Sequence, residues 1–78
     1  EGTVKQALEI VATIKSTLLE ENSKIDSDVL DVLNQIEKDI KENNKPKKGF
    51  LVALKGFCSG SAAVITLINS LIKLFSIV

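Results

Sequence analysis

The sequence has no histidine, arginine, tryptophan, tyrosine or methionine, and only one cysteine and one proline among its 78 residues. Each absence closes a route. Without histidine there is no imidazole base to activate a nucleophile. With Cys58 alone, neither an internal disulfide nor a structural zinc site can be assembled. No strand leads into a glycine-rich phosphate loop. The expectation is therefore no catalytic residue, no cofactor, no metal ligand and no small-molecule substrate. The five lysines of the C-terminal half are scattered and have no arginine beside them, a weak footprint for phosphate, so nucleic acid is not an expected partner. The apolar segment lies at the wrong end for a signal peptide.

A chain this short buries only about 60–65% of its unfolded surface, and one core of this size rarely supplies more than ~3–5 kcal/mol. With disulfide and metal excluded, a partner is the remaining staple. The opening Glu-Gly-Thr, without methionine, reads as a fragment of a longer protein, with residues 1–78 forming a single helical module. Net charge is zero but unevenly placed. Residues 1–42 hold all ten acids and five lysines, and residues 43–78 hold five lysines and no acid. Two halves that complement each other on folding account for this simply; a basic amphipathic tail drawn to anionic lipid is the second reading.

Two amphipathic helices come first. Thr3-x-x-Gln6 has the form of a capping box, and Val4, Ala7, Val11, Ile14 and Leu18 follow at steps of 3, 4, 3 and 4, predicting a helix over about 4–20 that ends at Glu20-Glu21-Asn22-Ser23. Asp26 is a suitable N-cap for the next, with Ile25 placed to staple onto Leu30. Val29, Leu33, Ile36 and Ile40 set its stripe, and Asn43-Asn44 before Pro46 stops it, giving about 27–43. The carboxylate pairs Asp28/Asp31 and Glu37/Asp39 are read as a solvated face, since they lie mostly off the stripe with no metal-type spacing.

From Pro46 onward, Phe50, Leu54, Phe57, Ser61, Val64, Ile68, Leu71, Phe75 and Val78 step 4, 3, 4, 3 without a slip. A polar row (Lys48, Lys55, Ser59, Thr66, Asn69, Lys73, Ser76) keeps the same register. The spacing predicts one long helix over about 47–76, with Ser59-Gly60 as the place where it can bend; the alternative is a helix break there, giving a monomeric four-helix bundle. About two-thirds of its second half is apolar around the circumference, more than two shorter helices can cover. The expected fold is thus all-α: an antiparallel hairpin packed on a long C-terminal helix in a small, oligomeric bundle. Ala53, Gly56, Gly60 and Ala63 add a strip almost free of side chains, the kind that lets another helix come close. The candidate interface is Phe50, Ala53, Leu54, Gly56, Phe57, Gly60, Ala63, Val64, Ile68, Leu71 and Phe75.

The stretch Ile36 to Phe75 is similar to the helical tail modules that end many bacterial multidomain proteins of the abortive-infection or conflict kind. The similarity lies in Ile36-x-x-x-Ile40, Pro46 after a polar break, Leu54-Lys55-Gly56-Phe57, and a Ser/Ala-rich lead into Ile65-Thr66-Leu67-Ile68-x-x-Leu71-Ile72-x-Leu74. The resemblance implies a C-terminal accessory or assembly module with no active site of its own.

The favoured expectation is a non-catalytic, cytoplasmic interaction or oligomerisation module that meets a second copy or a partner helix. The alternative is a membrane-anchoring or membrane-active segment using residues 49–78, since seventeen uncharged residues separate Lys55 from Lys73. Ser59, Ser61, Thr66, Asn69 and Ser70 dilute that run, and no Trp or Tyr marks an interface. Cys58, with no base beside it, is read as a small core residue.

Overall fold

The first apolar stripe forms α1, Gly2–Asn22, which buries Ala7, Val11, Ile14 and Leu18. The computed structural model describes residues 2–75; the expected places of Ser76 and Val78 lie outside them. Because α1 already runs from Gly2, Thr3 sits inside the helix and is not its cap. The far end runs two residues past the expected stop. There Ser23 adopts a left-handed conformation (φ 67°), and its N–H donates to the Leu19 carbonyl at 2.9 Å. This single bond closes a last turn that its two glutamates do not favour.

Helix α2, Ser27–Lys41, starts as its sequence indicates: the Asp26 carboxylate accepts from the Asp28 N–H at 2.9 Å. It buries Val29, Leu33, Ile36 and Ile40. At its end Asn43 is left-handed (φ 63°), the Asn43 N–H donates to Ile40 and the Asn44 N–H donates to Asp39. This is the paired-bond Schellman stop, which asparagine tolerates better than most residues. Asp39 departs from the solvated-face expectation: it is buried, and its Oδ2 has no hydrogen-bond partner.

The long helix is two helices. α3 spans Lys48–Phe57 and α4 spans Ala62–Phe75. At Cys58 the N–H still donates to Leu54, but Ser61 then begins a new helix. The Ser61 Oγ accepts from the Val64 N–H at 3.3 Å, and the Ser61 N–H donates to Cys58 at 3.0 Å. Ser61, placed on the apolar seam by its spacing, is thus an N-cap satisfying an otherwise orphan donor. The turn between the helices is about as long as one helical turn, so regular spacing crosses it undisturbed. The seam also shifts by one residue, burying Leu51, Leu54 and Cys58, with Phe57 turned outward. Gly60 is not what makes the turn, since no glycine has positive φ and nothing lies within 4 Å of a Cβ built at Gly60.

Folding back at Ser61 answers the covering problem that a long rod would pose. Each helix packs on its neighbours in sequence, and α4 closes the ring by packing on α1; the diagonal pairs do not meet. Connections of four to six residues make successive helices antiparallel. At ~1.5 Å per residue, α1 is about 31 Å long, matching the longest dimension of a 32 × 20 × 19 Å body. All four helices contribute to one core, with Ala7, Ile14, Leu33, Ile36, Leu51, Leu54, Val64, Ile68 and Leu71 wholly buried. The expected small helical bundle is therefore what forms, as a ring of four helices.

Candidate interaction surface

The antiparallel topology gives the bundle two unlike ends. One end gathers the α1–α2 and α3–α4 turns. The other gathers the start of α1, the α2–α3 connection and the end of α4. Lys15 Nζ fixes the register of the first hairpin by donating to Asn34 at 3.3 Å and Glu37 at 2.9 Å. One turn from that contact toward the two-turn end lie Leu19 on α1 and Leu30 on α2. Phe57, the last residue of α3, reaches the same end.

These three side chains are 49%, 36% and 53% exposed, and they are three of the four large hydrophobic residues exposed among the described residues. Phe57 lines a cleft of about 320 Å³ with Asn22, Ile25, Asp26 and Val29. A second, of about 220 Å³, lies between Glu21, Phe57 and Ser61. The fourth exposed apolar side chain, Val52, is on the outer face of α3. Gly49 and Gly56 belong to that same helix, and nothing lies within 4 Å of a Cβ built at either.

Charge divides along the same axis. The two-turn end carries Glu20, Glu21, Asp26, Asp28 and Asp31 against Lys24 and Lys55. Among the described residues the opposite end carries Lys38, Lys41, Lys45, Lys47 and Lys48, joined by Lys5 and Lys73, against Asp39 and Glu42. Glu37, between them, pairs with Lys15 at 2.9 Å and Lys41 at 3.5 Å. The Lys15 hydrogen bond, helped by both ammonium charges, holds the Glu37 carboxyl below its usual range against the opposing effect of burial. Both ion pairs lie inside the α1–α2 hairpin. Among the described residues none joins a lysine of the C-terminal half to an acid, so the simple account of charge complementarity between halves is not realised in contacts. Instead Lys47 lies over the Phe50 ring, 5.8 Å from its centre.

The expected interface residues are scattered by the fold. Leu54, Val64, Ile68 and Leu71 are fully buried in the bundle's own core. Phe50, Ala53 and Phe75 are half-buried, and Gly56, Phe57, Gly60 and Ala63 are exposed. Leu19 and Leu30 were missed. Both sit just off the buried stripes of their helices, and only the pairing of α1 with α2 brings them together. Cys58 is in the core, and burial, reinforced by the nearby Glu21 charge, pushes its thiol pKa up, away from the reactive thiolate.

A groove of about 580 Å³ runs between α1 and α4, lined by Ile10, Leu67 and Leu74 with Gln6, Glu9, Thr13, Ser70 and Lys73. The Ser70 hydroxyl there donates to the Thr66 carbonyl at 3.1 Å. Among the described residues no cluster of acids and Cys58 is arranged to hold a metal ion, and no helix is long and apolar enough to cross a membrane. No protein-family model matches the chain, and comparison with curated proteins and with solved structures finds no significant match.

Proposed function

We propose that the chain is a non-catalytic helical interaction module that self-associates or docks a protein partner. The observation that carries this reading is Phe57, exposed at the last position of α3 and lining two clefts there, in the half of the bundle that also leaves Leu19 and Leu30 exposed. Apolar surface concentrated beside clefts and rimmed by charge is the usual anatomy of a binding site for another macromolecule. The work moves from the C-terminal helices as a whole to one end of the molecule, because most of their apolar residues are engaged in the core. The similarity of Ile36–Phe75 to accessory tails of bacterial conflict proteins agrees with a module that acts through contact.

Sedimentation equilibrium of the purified chain beside Phe57→Ser tests the proposal. A self-associating module gives a mass that rises above monomer with concentration and returns toward monomer in the variant. Monomer at every concentration for both would overturn self-association. Equal association in both would overturn the role of this end.

A further inference from the structure

We infer that copies of this chain associate head to tail, the basic end of one seated on the acidic, apolar end of the next. This deepens the interaction-module reading and rests on it. The argument is one of elimination by charge. Two acidic ends face to face would bring Glu20, Asp28 and Asp31 against their own copies, and two basic ends would do the same with Lys45, Lys47 and Lys48. Like charges brought together at an interface are costly. Only unlike ends attract, and the chain carries one of each, about 30 Å apart along the axis of its longest helix.

The apolar surface selects between the two arrangements that pair unlike ends. Copies lying antiparallel, side by side, also bring acid to base, but they leave Phe57 and its two clefts in water at the tips. Stacking end on end covers them. The basic end has something to offer those clefts: the α2–α3 connection presents Lys47 and Lys48 with Phe50, half-buried and flanked by the Lys47 ammonium. Lysines with apolar stems around an aromatic ring suit an apolar patch ringed by carboxylates. Such a contact is heterologous, so it leaves a free end at each step and gives an open series of sizes, whereas a two-fold contact stops at a dimer.

Charge reversal at each end provides the test, with helical circular dichroism confirming that every variant folds. Glu20→Lys with Asp31→Lys makes both ends basic while leaving the Asp26 cap intact. Lys45→Glu with Lys47→Glu and Lys48→Glu makes both ends acidic. The parent is expected to show a concentration-dependent distribution with no discrete stop, weakened at about 1 M salt, where the screening length falls to ~3 Å. Each variant alone should be monomeric where the parent associates, and their equimolar mixture should regain the parent's average mass. A discrete dimer, or variants that associate as the parent does, would overturn the head-to-tail arrangement while leaving the interaction module standing. A mixture that stays monomeric would also overturn it. A parent that is monomeric throughout would overturn both this and self-association.

Discussion

Glu37 shows how one side chain can hold two helices in register. It receives Lys15 from α1 and Lys41 from its own helix, and its ionised form is favoured by folding. A carboxyl that ionises more readily folded than unfolded adds stability above the ordinary glutamate value of 4.5 and loses it as pH falls through the lower folded value. Glu37→Gln should therefore be less stable than the parent at neutral pH by up to ~1 kcal/mol, the scale of a partly exposed pair. Melting curves of both should converge as the solution is acidified below the glutamate range. A gap that widens in acid would contradict the assignment. Cys58 offers a second check at this scale. Its buried, proton-retaining thiol should react with iodoacetamide only as fast as the chain opens, so added urea should accelerate labelling along with unfolding. Rapid labelling of the fully folded chain would contradict the burial.

At the scale of elements, the turn at Cys58–Ser61 decides the architecture. Ser61→Ala removes the acceptor for the Val64 N–H and should cost about 1 kcal/mol, the usual loss at an N-cap. Gly60→Ala should fall within about 0.5 kcal/mol of the parent, since the backbone there suits any residue and the space beside it is open. Chemical denaturation of both variants checks this; a Gly60 effect larger than the Ser61 effect would return the turn to glycine. The same turn marks the limit of what the sequence made legible. The hairpin was readable because Asp26, the paired asparagines and two clean stripes agree with one another. The C-terminal break was legible at Ser59-Gly60 only as the less favoured of two readings, because a turn of four residues preserves helical phase. Ser61 then looked like a polar interruption of a seam when it was the start of a helix. For the surface, Phe57 was legible as an apolar residue but not as an exposed one, because choosing Cys58 for the core shifts the buried set by one position. Leu19 and Leu30 could be recognised only through the pairing of their helices.

As a whole molecule, the chain resolves the problem of its apolar C-terminal half internally. Folding that half into α3 and α4 gives α2 and α1 each a partner, and the core closes within one chain. The association proposed for its ends is then an addition to a folded protein and not a condition of folding. Stability that depends on a partner must fall on dilution, because association and folding are linked. The most direct measurement is the urea unfolding midpoint over a hundredfold dilution at about 1 M salt, where contact between charged ends is screened. The fold described here predicts one cooperative transition whose midpoint does not move with concentration. A midpoint that falls steadily on dilution would mean that another chain completes the core, and would contradict the closed four-helix bundle.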